Sequence, residues 1–231
     1  MSSTPFAASS GSLRLSIGTP ELVASYRKTF EANFPGGAAN FANLQRVVDE
    51  ALQRTEHCFS AITLPGYRRD GAPYFNHLHG DQRAIFNYYA ANCAWRLGDG
   101  ELASRFFLLN KMQNGLVCMY DTQLPDIFVL IHTVGTVLGK ATYGNYFVAY
   151  QNVTIGTESG RAPIIEEHTV VYGGSMVLGE TRLGRGSVVS AQSVLIDAAI
   201  PPNSVVAGRS PNPIVKARKR DFAIQYWSAA P

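Results

Sequence analysis

The chain has 231 residues, a formal net charge of +3 and 46% hydrophobic content. That is length enough for one large domain or two small ones, with an ordinary core to bury. The weak charge argues against a nucleic-acid binder but suits an anionic substrate, and no run approaches the ~18 apolar residues of a membrane span. Cys58, Cys93 and Cys118 form no CxxC pair, as expected of a reduced, cytoplasmic protein.

Residues 1–18, rich in Ser and Ala at the start, lack a basic and an apolar signal region and read as a disordered terminus. A first helix is predicted from Pro20 to Phe34, with Thr19 as N-cap and Pro20 as first residue. Pro35-Gly36-Gly37 breaks it. A second helix is predicted from Asn40 to about Cys58, because Leu44, Val47, Val48, Ala51 and Leu52 recur at helical spacing. A loop from Leu64 to Leu78 follows. A third helix starts after Gly80 with Asp81 as N-cap and stops at Gly98 or Gly100. A fourth runs from Glu101 to Asn114, ended by Gly115. The first half, 1–115, therefore reads as an all-helical domain.

The second half has period six. Ile131, Val137, Tyr143, Ala149 and Ile155 fall six apart. After four extra residues the series resumes at Ile165, Val171, Val177, Leu183, Val189 and Leu195. Four residues after each start of the second run stands a small residue: Thr169, Ser175, Thr181, Ser187, Ser193 and Ala199. Neither a helix nor an alternating strand gives period six. A parallel β-helix does, with three short sides per coil of about 18 residues. The fold class is α+β: a helical domain, a hexapeptide-repeat parallel β-helix over 116–215, and a tail over 216–231 whose run Lys216–Arg220 is basic.

Three segments together resemble the serine acetyltransferases and their hexapeptide-repeat acyltransferase relatives. Leu130-Ile131-His132-Thr133-Val134-Gly135-Thr136-Val137-Leu138-Gly139 is similar to the family's L-D-H-A-T-G-I-V-V-G. Gln151-Asn152-Val153-Thr154-Ile155-Gly156 matches Q-x-V-T-L-G. Val206-Ala207-Gly208-Arg209-Ser210-Pro211 is close to the family's A-G-x-P-A ending. The resemblance implies a left-handed β-helix, a homotrimer with active sites between neighbouring prisms, and acetyl-CoA as acyl donor.

It also implies that His132 is the catalytic general base. A neutral imidazole can take a proton from an attacking hydroxyl or amine at neutral pH. Tyr150, one coil on, is expected to stack beside His132 and shape the acceptor cleft. Asp70 lies near an acceptor-binding aspartate of the family and reads equally as a turn residue before Gly71. For the donor, the resemblance implies Gly156 and Thr157, then Gly173, Gly174 and Ser175, then Ser190 and Ala191, as small residues beside the cofactor arm. Arg209 and Lys216 are expected near its 3′-phosphate. His77 and His79 lack a third ligand, so no metal is expected. His168 reads as a corner residue or a neighbour of the adjoining subunit's cleft.

The departures shape the expected substrate. Ile131 replaces an aspartate, Val117 falls where an orienting aspartate stands, and Ala162 replaces a second histidine. Asp121, Asp126 or Glu166 could orient His132 instead. These losses favour an acceptor larger than free serine: a sugar, nucleotide-sugar or glycan precursor. The alternatives are serine O-acetylation for cysteine biosynthesis and a non-catalytic scaffold. The ending Ala229-Ala230-Pro231 lacks the C-terminal isoleucine through which the family meets a sulfhydrylase, so that partner is not expected.

Overall fold

A computed structural model describes residues 13–34, 41–219 and 225–228. The expected break at 35–37, the start of the second helix at Asn40, most of the N-terminal segment and the final three residues lie outside them.

Four helices make up most of the first half: α1 (Thr19–Asn33), α2 (Leu44–Ser60), α3 (Gly80–Arg96) and α4 (Gly100–Asn114). Pro20 opens α1, but Gly18 is its N-cap. Gly115 ends α4 at φ 66°, a left-handed position, and a Cβ there would lie 3.0 Å from the Val134 backbone. Glycine thus both stops the helix and lets the next segment close on it. The N-cap of α3 is His79, not Asp81; its ring accepts the Gln82 amide at 3.5 Å. Asp81 is the second residue of the helix, free for another task.

The first half is not all helix. Arg14–Leu15 pairs parallel to Ala72–Phe75, which pairs antiparallel to Arg68–Arg69. Asp70 and Gly71, at φ 49° and 79°, form the two-residue hairpin turn between the last two strands. Both conformations suit an Asp-Gly turn.

From Phe128 the chain winds into a parallel β-helix of about four coils. One side stacks Phe128–Leu130, Phe147–Ala149, Val170–Val171, Val188–Val189 and Ser204–Ala207. The second stacks Val137–Leu138, Thr154–Gly156, Met176–Leu178 and Val194–Ile196; the third stacks Thr142–Tyr143, Ile164–Ile165, Arg182–Leu183 and Ala199–Ile200. The register places Ala149, Val171 and Val189 over one another, and likewise Ile155, Val177 and Leu195. All six are buried, as the hexad period requires.

The period slips at both ends. Leu130 pairs with Ala149 and Leu138 with Ile155, so these residues fill the interior in place of Ile131 and Val137. The turn between them is longer than a hexad allows. At the far end Ile200 faces in and Ala199 faces out, because that side is one residue short.

The small residues do secure corners. Thr169, Thr181 and Ser193 are buried and donate to the carbonyls of Glu166, Leu178 and Ser190 at 2.7 Å each. Each hydroxyl ties its corner to the carbonyl three residues back. The strand Ile214–Ala217 turns back antiparallel onto Ser204–Ala207 and ends the stack, crossing the expected domain limit at 215. At the other end, Tyr88 and Tyr89 of α3 pack edge-on against Phe128. Helices and prism therefore share one continuous core. No described helix is long and apolar enough to cross a membrane.

Candidate active site

His132 follows the strand Phe128–Leu130 at φ 53°, with its side chain 74% exposed. A non-glycine residue there is costly unless its surroundings hold it. Two sets of contacts do so. The His132 amide donates to Asp81 Oδ1 at 2.9 Å. The next residue, Thr133, donates its hydroxyl to the Asn114 carbonyl at 2.6 Å; Asn114 in turn donates to Asn110, and Asn110 to the Ala84 carbonyl. The end of α4 and the body of α3 thus fix the turn that displays the imidazole.

The other Asp81 oxygen, Oδ2, lies 3.8 Å from His132 Nδ1. Sequence reading missed this aspartate because it is 51 residues away and looked like a helix cap. Among the described residues, none of the carboxylates considered instead forms an ion pair with His132. Glu166 is held by Arg182 Nε at 3.0 Å and the Arg185 amide at 2.9 Å, and these contacts keep its carboxyl below the usual range. Asp126 meets Tyr89 through its backbone carbonyl, and Asp121 takes a Gln123 contact the same way.

The pairings Leu130–Ala149 and Ala149–Val171, carried two residues on, put His132, Gln151 and Gly173 in one column. Along this corner runs a groove of about 440 Å³, lined by Tyr150, Gln151, Asn152, Tyr172, Gly173, Gly174, Ala191 and Gln192. Among the expected residues, Tyr150, Gly173, Gly174 and Ala191 come together here. Gly135 of the histidine motif stands at φ 75°, and a Cβ there would strike Asn152 Oδ1. The motif's glycine thus suits a left-handed turn, and a side chain there would also have to displace the Asn152 amide.

Tyr150 is not stacked on His132. It follows Ala149 as Ile131 follows Leu130, and its ring lies 4.9 Å from Tyr172. Its hydroxyl meets that of Tyr226 at 2.8 Å, and Gln225 donates to the Tyr172 hydroxyl at 3.3 Å. The segment Gln225–Ser228 thereby closes one wall of tyrosines. Ile62 and Trp227 form an antiparallel bridge that ties the same segment to the end of α2.

Other expected residues are placed apart from the groove. Ser175 is fully buried and donates to the Ser190 carbonyl at 2.9 Å, so it braces a corner rather than facing a ligand. Ser190 is half-buried beside it. Gly156 and Thr157 lie at the following corner, where Gly156 pairs with Leu178. Arg209 and Lys216 are exposed, Arg209 bridging to Val194 and Lys216 on the final hairpin strand. Asp70 faces Arg14 at 2.6 Å, not His132. His77 Nδ1 meets Ser16 Oγ at 2.7 Å, and His79 caps α3. His168 occupies a left-handed corner with its ring 4.4 Å from Tyr146 and 7° from parallel. Arg161, next to Ala162, spans three acids: Asp197 at 2.7 Å, Glu180 at 3.4 Å and Glu158 at 3.6 Å.

Comparison with known proteins extends the pattern. No family model matches the chain. The serine acetyltransferase of Bacillus subtilis is 33% identical over 150 residues, covering 59% of this chain and 69% of that protein. The chain belongs to the serine acetyltransferase family. The enzyme of Escherichia coli K12 is 35% identical over 123 residues, 49% of this chain and 44% of its own. Against other relatives the chain again spans only part of their length, 43% for the plasmid-encoded serine acetyltransferase of Synechococcus elongatus. The crystal structure of the Vibrio cholerae serine acetyltransferase superposes with a TM-score of 0.65 at 20% identity, covering 90% of this chain and 95% of that one. At that identity the likeness speaks for the fold, the helices followed by a left-handed β-helix. These relatives correct the expectation of a sugar or glycan acceptor: the matched proteins are named serine acetyltransferases.

Proposed function

We propose that the protein is an acetyl-CoA-dependent serine O-acetyltransferase serving cysteine biosynthesis. The observation that carries the reading is the exposed His132, anchored on Asp81 and in one column with Gln151 and Gly173 of the groove, within a chain that belongs to the serine acetyltransferase family. A solved family member is a complex with CoA, which supports the same donor here.

In this reading His132 Nε2 takes the proton of the serine hydroxyl as its oxygen attacks the acetyl carbonyl. The new C–O bond forms, the C–S bond breaks, and the departing thiolate receives the proton as free CoA. No covalent enzyme intermediate is needed, because a thiolate leaves readily. Backbone amides of the groove hold the oxyanion in this scheme. Assembly as a homotrimer, which would set the groove against a neighbouring prism, and a cytoplasmic location belong to the same proposal. The groove residues Tyr150, Gly173, Gly174 and Ala191 would line the path of the donor or acceptor; Gly156, Thr157, Ser190, Arg209 and Lys216 would meet the donor at other corners.

The decisive assay mixes purified protein with acetyl-CoA and L-serine and follows free thiol. Thiol release that depends on serine sustains the reading. Release with other hydroxyl compounds but none with serine would overturn it.

A further inference from the structure

We propose that Asp81, on the first turn of α3, is the positioning residue for His132; the proposal rests on His132 being the base. Its two oxygens are divided between two tasks. Oδ1 accepts the His132 amide at 2.9 Å, and Oδ2 stands 3.8 Å from Nδ1. The helix does not need this carboxylate as a cap, since His79 already fills that place. The Asp81 side chain is 18% exposed against 74% for His132, so the acid is the ordered member of the pair.

Among the described residues, Asp81 is the acidic side chain within 4.0 Å of the imidazole nitrogens. The end of α4, packed on the same turn, offers only the neutral Asn114 and Gly115. A carboxylate on the Nδ1 side favours the proton on Nδ1 and leaves Nε2 as the free acceptor. Without it, free imidazole leans to the opposite tautomer. When His132 becomes imidazolium during transfer, the same negative charge faces it. The upstream strand position, Val117, carries no charge to compete.

Asp81→Asn separates this role from a merely structural one. Its amide oxygen can still accept the His132 amide, but the charge beside Nδ1 is gone. The expected result is a change in the His132 ring ¹⁵N shifts from the Nδ1–H to the Nε2–H form. With it, kcat falls roughly 10–100-fold, while KM for acetyl-CoA stays within about twofold. Asp81→Glu recovers part of the Nδ1–H signal, and thermal denaturation of both variants checks the fold. An Asn variant with the parental tautomer overturns the proposal. A tautomer change in a protein that never acetylates serine upholds the positioning of His132 and sinks the serine reading instead.

Discussion

The hydroxyls of Tyr150 and Tyr226 lie 2.8 Å apart, joining residues 76 positions distant in the chain. Tyr226 is 1% exposed, although it belongs to a short segment near the C-terminus. Burial, first of all, pushes both phenols above their ordinary range. Tyr226→Phe removes the hydroxyl and keeps the ring. We expect it to cost about 1 kcal/mol, a fall in Tm of about 2–4 °C for a chain of this size. Thermal denaturation of the two proteins decides it; an unchanged Tm would show that the segment is not docked through this contact.

His132→Ala should lower kcat by ~10² or more with acetyl-CoA binding intact. Steady-state turnover and equilibrium binding of the donor give the two readings. Turnover at the parental rate would remove His132 from the chemistry.

The thiols should be inert in the folded protein. Burial pushes Cys58 and Cys93 up to about 11, against about 8.5 for a free thiol. The folded value is the higher one. The stability contributed by keeping these thiols neutral is therefore complete below about pH 8.5. It is lost as pH rises from there toward 11. A thiol reagent at pH 8 should find Cys58, Cys93 and Cys118 unreactive until urea is added, and urea midpoints should fall between pH 9 and 11. Rapid labelling of the native protein would contradict this.

Gly144 is held by space. A Cβ there would lie 2.6 Å from the Glu167 amide nitrogen, in the coil above. Gly144→Ala should destabilise by about 1–3 kcal/mol, read from urea unfolding. Gly156→Ala is the control, since its Cβ would meet nothing within 4 Å. It should unfold like the parent, and a raised KM for acetyl-CoA in that variant would locate the donor's arm at this corner.

The coils were legible because burial repeats every six residues wherever corners are alike, as from Ile165 to Leu195. It misled at Ile131 and Val137, where the turn carrying His132 and Thr133 is longer, and at Ala199, where one residue is missing. The histidine motif gave His132 as the candidate base by its local pattern. Its partner Asp81 was illegible, because only the docking of α3 onto the prism brings the two together. The substrate went astray for a related reason. Ile131 and Ala162 read as lost charges, and the motif gives no sign of the carboxylate that Asp81 brings beside His132.

The antiparallel return of Ile214–Ala217 has a consequence for the protein in a crowded cell. A stack of parallel coils ending on a bare rung would offer unpaired amides and carbonyls to the next molecule, and such rungs template fibres. Here the last strand of one side is covered by a four-residue strand bearing Lys216, and the first strand of that side meets the tyrosines of α3. That side of the prism therefore ends on a strand that opposes the direction of the stack and bears a charge, a poor template for a further parallel coil.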